Sequence, residues 1–341
     1  MNKLEDVSDI RVFADDIYIR KKENDEYFLQ KMNSELNFLN KSIYGNVLTF
    51  NIFKDKIIYY TKSDETYIVT KEFQVIKKID LDLFNISSSF PNNSNNKYYI
   101  GNTEKNGFII YDFENNKIHH TLFPERINRA AILINNSSYL LYQPGGTTIE
   151  KYNFPQELQW KTNISEIGAS ENWFDGKLKG EIRNIYLHED KVIVLARGGI
   201  VAYNIETGKI IWENRKTLSG AYLIILENVG YFNNGLFVHI INLDTGEILN
   251  SYTEFKNFII NGEDYYPSGS ELVFYDNLFW SSVNSSGKAI IVSLNPETFK
   301  YVWWQEIKGA NHIEKPVFYK NKMFIRDIEN VLHVFEKELK I

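Results

Sequence analysis

Short apolar runs alternate with turn-forming residues along most of the chain, and no stretch sustains a helical apolar period of 3.6 residues. The segment 183–214 is the clearest. Its four runs predict four consecutive strands, named A to D here: RNIYL (183–187), KVIVLA (191–196), GIVAYNI (199–205) and KIIWEN (209–214). Continuous apolar runs such as 192–195 are typical of strands buried on both faces between stacked sheets. We therefore predict an all-β protein with almost no helix.

The connection between strands C and D has a recognisable sequence, seen in VAYNIETGKIIWENR (201–215). Thr207 and Gly208 form the predicted turn, because glycine adopts the positive φ that a tight hairpin requires. Side chains of the Asn204 or Asp244 type can hydrogen-bond the turn backbone. Trp212 then falls on the outer strand, where it can pack against a neighbouring sheet.

This pattern recurs along the chain. Better copies are NLDTGEILN (242–250) and NPETFKYVW (295–303), and degenerate copies are DFENNKIHH (112–120) and NFPQELQW (153–160). The hairpin units to which they belong begin near Asp15, Lys54, Lys97, Ser137, Asp190, Asn228, Asp276 and Asn321. A spacing of roughly 40 to 50 residues is that of four-stranded β-propeller blades. Eight blades in a single domain spanning 1–341 is the favoured prediction, and seven is the alternative.

The last unit has no clear D strand. A segment within Met1 to Val7 can supply that missing outer strand and close the ring. The eight-blade prediction depends on this closure, since the N-terminal repeats are the most degenerate.

The repeat resembles that of the quinoprotein-dehydrogenase-like (PQQ-like) propeller superfamily. Its motif is Asp or Asn, two residues, Thr-Gly-Lys, two residues and Trp. In that superfamily the tryptophan docks one blade on the next. The resemblance assigns this role to Trp212 and Trp303, with Trp160 as a weaker match. It identifies the type of blade and leaves the activity open.

Composition narrows the classes of partner and compartment. The net charge of -6, with no Lys/Arg cluster beyond short pairs, argues against nucleic acid and membrane surfaces. Cysteine is absent, which excludes disulfides and thiol catalysis. The sequence MNKLEDVSDIRVF has no apolar signal region. We expect a soluble, cytoplasmic and monomeric protein.

The sequence gives no support for a bound cofactor or metal. Quinone-dependent relatives need calcium, and no acidic segment has the spacing of a calcium loop. The six histidines show no metal-ligand spacing. No G-x-S-x-G elbow anchors a catalytic serine. We therefore expect no cofactor, no metal and no catalytic residue of these classes.

The candidate site lies in the two longest D-to-A connections, 163–181 and 253–271. Loops on a rigid scaffold often carry binding, and aromatic side chains beside charged ones are typical of protein-binding hot spots. The candidate binding residues are Glu171, Trp173, Phe174, Asp175, Glu263, Asp264, Tyr265 and Tyr266. A purely structural interpretation remains open, in which these aromatics cover blade edges and the acids are solvated.

The favoured hypothesis is a non-catalytic propeller that binds a basic protein partner through this rim. A narrower version is a bacterial immunity protein that inhibits a secreted toxin. The enzymatic alternative is a carbohydrate-active hydrolase or lyase, in which Glu171 or Asp175 would pair with Asp264 as acid and base. A third class, a self-associating assembly subunit, would show apolar patches on its blade edges.

Overall fold

The computed structural model describes residues 2–52, 56–79, 95, 97–103, 106–125, 127–167, 170–172, 176–178, 180–215, 222–233, 238–252, 258–260, 263–265, 271–285 and 287–336. All regular structure in these residues is β-strand. None of the described segments is a helix that is long and apolar enough to cross a membrane.

The strands group into eight antiparallel sheets, numbered here as blades in chain order. Seven blades have four described strands, and blade 3 has three. The strands are β1 (Asn2–Leu4); β2 (Val7–Phe13), β3 (Asp16–Glu23), β4 (Glu26–Met32) and β5 (Phe38–Lys41) in blade 1; β6 (Val47–Ile52), β7 (Lys56–Thr61), β8 (Thr66–Thr70) and β9 (Val75–Ile79) in blade 2; β10 (Tyr98–Thr103), β11 (Gly107–Asp112) and β12 (Lys117–Phe123) in blade 3; β13 (Ala130–Leu133), β14 (Ser138–Tyr142), β15 (Thr148–Asn153) and β16 (Glu157–Asn163) in blade 4; the hairpin β17 (Ser170–Asn172) and β18 (Gly176–Leu178); β19 (Ile182–His188), β20 (Lys191–Ala196), β21 (Gly199–Asn204) and β22 (Ile210–Asn214) in blade 5; β23 (Tyr222–Leu226), β24 (Val229–Asn233), β25 (Val238–Asn242) and β26 (Ile248–Tyr252) in blade 6; the hairpin β27 (Phe258–Ile260) and β28 (Glu263–Tyr265); β29 (Val273–Tyr275), β30 (Leu278–Ser285), β31 (Lys288–Leu294) and β32 (Tyr301–Glu306) in blade 7; β33 (Val317–Tyr319), β34 (Lys322–Arg326) and β35 (Leu332–Glu336) in blade 8.

Blade 8 is completed by the N-terminal strand. β1 pairs antiparallel with β35, with Asn2 opposite Val334 and Leu4 opposite Leu332. The two ends of the chain therefore share one sheet, as the missing D strand of the last repeat predicted. The fold class is an eight-bladed β-propeller, and eight blades rather than seven is confirmed.

Contacts divide the chain into two compact units. Unit 1 comprises Met1–Asp25, Leu29–Leu39 and Ser219–Ile341, and unit 2 comprises Glu26–Phe28 and Asn40–Leu218. Unit 2 contains blades 2 to 5, and unit 1 contains blades 6 to 8 with most of blade 1. A single domain over 1–341 stays a prediction.

In unit 2 the core lies between the faces of successive blades. β20 is the most buried strand, and Val192, Ile193, Val194 and Leu195 have no exposed surface. Such side chains each contribute about 1.5–3 kcal/mol of hydrophobic stabilisation. Val192 and Val194 belong to the core between blades 4 and 5, which also contains Ile149 and Val201. The continuous apolar run at 192–195 is thus a strand buried on both faces, as expected.

In unit 1 the same stacking joins blade 6 to blade 7 and blade 7 to blade 8. Phe279 and Val292 are central to the first of these cores, and Ile291 and Ile325 to the second. A third core packs blade 8 on blade 1, where Phe324 lies against Ile17 and its neighbours.

The C-to-D turns have the geometry that their sequence predicts. The Asn204 side-chain oxygen accepts hydrogen bonds from the Glu206 and Thr207 amides at 3.1 and 2.9 Å, and Gly208 has a φ of 65°. Asn242 and Asn295 accept equivalent bonds in blades 6 and 7. In blade 6 the acceptor is therefore the first residue of the motif and not Asp244.

Four C-to-D turns also receive a side chain from the preceding blade, whereas in blade 4 Gln156 of the turn donates to the Leu122 carbonyl of blade 3. In those four turns, a side chain on the outer strand donates a hydrogen bond to a backbone carbonyl of the turn. The pairs in unit 2 are Asn40 with Glu72 (2.7 Å), Lys77 with Glu114 (3.3 Å) and Trp160 with Ile205 (3.0 Å), and the pair in unit 1 is Tyr252 with Glu297.

Trp160, the weaker match to the docking motif, makes one of these contacts and also packs on the turn. Its indole covers Gly208, where an added Cβ would lie 2.6 Å from the Trp160 ring. Trp160 is 9% exposed and Trp212 is 7% exposed, whereas Trp303 is 39% exposed. The docking role thus holds clearly for Trp160, and Trp303 departs from it.

Candidate functional site

Both long D-to-A connections contain a small hairpin that the sequence did not predict. In unit 2, β17 pairs with β18, with Glu171 opposite Lys177. In unit 1, β27 pairs with β28, with Ile259 opposite Asp264. The backbones of four candidate residues, Glu171, Glu263, Asp264 and Tyr265, therefore lie in strand segments and not in irregular loops.

Buried residues anchor the base of the first connection. Ile164 and Ile167 are 0% and 8% exposed and belong to the core between blades 4 and 5. The Gly180 amide donates to the Ser165 carbonyl at 2.9 Å, which joins the two ends of the connection. A binding segment held at both ends loses less conformational entropy when a partner binds.

The second connection is anchored within unit 1. Leu272 is buried in the core of blades 6 and 7, and Glu271 forms an ion pair with Lys315 at 2.7 Å. Both groups of this ion pair are largely exposed, so it fixes the position of the chain more than it stabilises the fold.

The structure describes the backbone of only four of the eight candidate binding residues. Trp173, Phe174, Asp175 and Tyr266 lie outside the described residues. The backbones of Glu171, Glu263, Asp264 and Tyr265 belong to the two hairpins, and the structure gives no placement for their side chains. The rim site and the acid–base pair of the enzymatic alternative both stay predictions.

Both D-to-A connections carry a net negative charge. Residues 163–181 carry four carboxylates and two lysines, and residues 253–271 carry four carboxylates and one lysine. Both segments are acidic, which favours a basic partner through charge complementarity.

The described part of the chain contains no group of three or more His, Asp and Glu side chains placed to hold a metal ion. Its most buried histidine, His333, is 1% exposed, and Nε2 lies 2.7 Å from an Asp327 oxygen. Asp327 also accepts hydrogen bonds from the Glu329 and Val331 amides, so this pair holds the turn between β34 and β35.

A cleft of about 530 Å³ lies between blades 7 and 8 in unit 1. Its blade 7 wall is a row of residues paired across three strands, with Trp280 opposite Ser293 and Ser293 opposite Trp303. The rings of Trp280 and Trp303 are 5.6 Å apart, so the small serine lies between two indoles. This wall is therefore mostly aromatic.

The blade 8 wall is a second cross-strand row. Phe318 is opposite Met323, and Met323 is opposite Phe335. On one side the walls touch, because the Trp280 and Phe318 rings are 5.1 Å apart. Tyr275 stacks on Phe318 there, at 4.4 Å and 6°. The cleft is therefore a slot between two apolar faces.

Polar groups at the cleft are balanced in charge. Its lining includes two lysines, Lys320 and Lys322, and two carboxylates, Asp276 and Glu336. Glu336 accepts hydrogen bonds from Lys322 at 2.9 Å and Asn321 at 2.8 Å, and these bonds hold the pKa of Glu336 below its ordinary value. This carboxylate is charged at neutral pH and paired within the cleft.

Sequence reasoning missed the cleft. It assigned Trp303 to blade docking and did not consider Trp280. The available signal was the missing D strand of the last repeat, because a blade completed by the N-terminus has no C-to-D turn.

Comparison with known proteins identifies the fold. No family model and no curated protein matches this chain. Similar solved structures include the computationally designed protein Ika8 (11% identity, 97% of this chain and 96% of that one, TM-score 0.65), BamB from Moraxella catarrhalis (10%, 98% and 98%, 0.61) and Sqt1 from Saccharomyces cerevisiae (11%, 94% and 92%, 0.59). BamB is a propeller of the PQQ-like type and Sqt1 one of the WD40 type. At these identities the likeness shows the β-propeller fold alone.

Proposed function

We propose that this protein is a non-catalytic propeller that binds a protein partner through its two hairpin-bearing D-to-A connections. The observation that carries the proposal is the insertion of an ordered hairpin into each connection, with buried residues at its base. Segments that project from a rigid β-scaffold in this way are suited to recognition. Their sequences combine aromatic residues with carboxylates, the composition of a binding hot spot.

The partner in this proposal is a basic protein. Both connections carry more carboxylates than lysines, and the whole chain has a net charge of -6. Charge complementarity of this kind accelerates association and selects the partner. The narrower proposal is a bacterial immunity protein that acts as a monomer in the cytoplasm and neutralises a toxin with a basic surface. Size-exclusion chromatography and cell fractionation test the last two properties.

The experiment is an affinity pull-down from the native host, read by mass spectrometry. The tagged protein is compared with the double variant Trp173→Ala plus Tyr265→Ala, which changes one aromatic residue in each connection. Leu249→Ala is the matched control, since Leu249 is 52% exposed on the outer strand of blade 6. We expect one dominant basic partner that the control retains and the double variant loses at least tenfold.

Two further measurements complete this test. Circular dichroism of the double variant should match the unchanged protein, because both positions belong to D-to-A connections in the sequence and not to a blade strand. Raising the salt concentration from 50 to 500 mM should slow association, since the steering charges are then screened. Undiminished binding by the double variant contradicts the rim proposal. Failure to capture any partner directs attention to oligosaccharide hydrolysis.

A further inference from the structure

The contact between blades 7 and 8 differs from the other described contacts between neighbouring blades. At five other junctions a hydrogen bond joins the outer strand to the next C-to-D turn. At four of them a side chain of the outer strand donates to a turn carbonyl, and between blades 3 and 4 Gln156 of the turn donates to the Leu122 carbonyl of the outer strand. Blade 8 has no such turn, because its C strand β35 and its D strand β1 come from opposite ends of the chain. The outer strand of blade 7 therefore has no turn to contact.

Trp303 is the residue affected. Trp160, Trp212 and Trp303 occupy the same register, each opposite the residue two positions before the asparagine of its own turn. Trp160 uses this position to donate Nε1 to the Ile205 carbonyl and to cover Gly208. Trp303 makes no hydrogen bond within the described residues, and 39% of its surface is exposed.

Two neighbours of Trp303 on β32 are exposed as well, Val302 at 57% and Trp304 at 42%. β32 is the last strand of its sheet, and among the described strands it pairs with β31 alone. Edge strands are commonly protected by lysine or proline, and the sequence of β32, YVWWQE, contains neither. Large exposed apolar groups beside a cleft are a recognised sign of a binding surface.

A buried polar group lies in the wall of the same cleft. The Ser293 hydroxyl is fully buried and has no hydrogen-bond partner among the described residues. Leaving such a hydroxyl unsatisfied costs about 1–3 kcal/mol. The wall of the cleft thus contains a polar group that is unsatisfied within the described residues.

We propose that the cleft binds a short, uncharged turn of a partner protein, which takes the place of the C-to-D turn that blade 8 lacks. A backbone carbonyl of this turn accepts a hydrogen bond from Trp303 Nε1, and a glycine or another small residue lies on the indole. Both contacts follow those of Trp160, which donates to the Ile205 carbonyl and covers Gly208. The inference rests on the proposed function only for the class of occupant, a partner protein.

The chemistry of the cleft selects this occupant over others. Its two lysines are matched by two carboxylates, so neither a cationic nor an anionic segment gains a net attraction. A second copy of this chain is a poorer source of the turn, because four of its turns, those with the Glu72, Glu114, Ile205 and Glu297 carbonyls, are already covered by the preceding blade. An uncharged turn also suits a slot whose two walls are apolar.

The first test is site-specific photo-crosslinking in the native host. Benzoylphenylalanine replaces Gln305, which lines the cleft, and in a control protein it replaces the exposed Leu249. Mass spectrometry then maps the attached peptide. We expect position 305 alone to crosslink to one partner, within an uncharged turn that contains glycine or another small residue.

The second test uses a synthetic ten-residue peptide of the mapped segment and isothermal titration calorimetry. Trp303→Ala should weaken peptide binding by at least about tenfold, as for a central aromatic anchor. Trp303→Phe keeps a ring but removes Nε1–H, and should weaken binding about three- to tenfold. Trp303→Phe should keep the melting temperature of the unchanged protein, because a ring remains beside Trp280, and this variant therefore separates lost binding from lost folding.

Several results would overturn the inference. They are a crosslink to residues 337–341 of the same chain, a crosslink to a second copy, no protein crosslink at position 305, or peptide binding that is indifferent to Trp303→Ala. The rim double variant separates this inference from the proposed function. Loss of the partner with Trp303→Ala but not with the rim variant supports the cleft and contradicts the rim, and the reverse result does the opposite.

Discussion

The interlock between Trp160 and Gly208 gives the sharpest prediction about stability. Gly208 has a φ of 65°, a left-handed conformation that costs an alanine about 1–2 kcal/mol. An added Cβ would also lie 2.6 Å from the Trp160 ring, and overpacking of this kind costs about 1–3 kcal/mol. Gly208→Ala should therefore lower the free energy of unfolding by about 2–5 kcal/mol.

A matched control isolates the backbone contribution. Gly145 has a φ of 73°, and no atom lies within 4 Å of the Cβ position. Gly145→Ala should cost only about 1 kcal/mol, because the left-handed strain is partly offset by the lower entropy of the unfolded alanine chain. The difference between the two alanine variants measures the clash with the indole.

The assay is urea denaturation followed by far-ultraviolet circular dichroism, repeated in a Trp160→Leu background. Removing the indole should reduce the cost of Gly208→Ala to about that of Gly145→Ala, so the two changes are strongly non-additive. An equal cost of Gly208→Ala in both backgrounds would refute the interlock. Equal costs for the two glycine substitutions in the unchanged protein would refute it as well.

Three further predictions concern single polar groups. Glu150→Gln should cost about 2 kcal/mol in urea, since Lys161 and Arg129 donate charged hydrogen bonds to this buried carboxylate at 2.8 and 2.7 Å. Burial raises the pKa of Glu150, but these hydrogen bonds outweigh burial and hold the pKa below its ordinary value. The unchanged protein should therefore lose this stability as pH falls below about 4.3, whereas the Glu150→Gln variant should show no such loss. Asn204→Ala should cost about 1–2 kcal/mol by removing the turn hydrogen bonds, whereas Asn204→Asp should be nearly neutral in the same assay. Burial lowers the pKa of His239, so the folded protein binds fewer protons than the unfolded chain below about pH 6.5. The melting temperature should therefore fall between pH 7.5 and pH 5.5, and the fall should be smaller in the His239→Leu variant.

Local pattern was sufficient to predict the blades. The strands expected at 183–187, 191–196, 199–205 and 209–214 correspond to β19 to β22 within one residue at each end. Each of the eight predicted hairpin units begins one or two residues before a strand of its own blade. This succeeds because apolar runs and Asn- or Gly-containing turns are properties of a few neighbouring residues.

Contacts between blades were harder to predict, because they depend on residues far apart in the chain. Trp160 lies in a degenerate copy of the motif, yet it docks, since Gly208 and the Ile205 carbonyl lie across from it on the next blade. Trp303 lies in a better copy and stays exposed. The motif specifies the outer-strand tryptophan but not what lies opposite it.

The prediction of the candidate site was limited for a different reason. Composition located the two connections, and the structure places a hairpin in each. Which carboxylates and aromatic rings face outward depends on the placement of side chains in those hairpins, which no short-range pattern determines. The choice between binding and edge-covering roles therefore rests on the partner experiment.

The completion of blade 8 by the N-terminal strand was predicted from the sequence, and it bears on the cleft between blades 7 and 8, which was not predicted. A last repeat without its own D strand implied that the N-terminus completes the sheet, and the pairing of β1 with β35 follows that logic. The same closure replaces a C-to-D hairpin with two separate chain ends, and so removes the carbonyl and the small residue on which a docking tryptophan packs elsewhere. Opposite the outer strand of blade 7 there is therefore no C-to-D turn of blade 8, and Trp280, Trp303 and Phe335 line the cleft there. Closing the fold with an N-terminal strand thus accounts both for the eighth blade and for the presence of a cleft beside it.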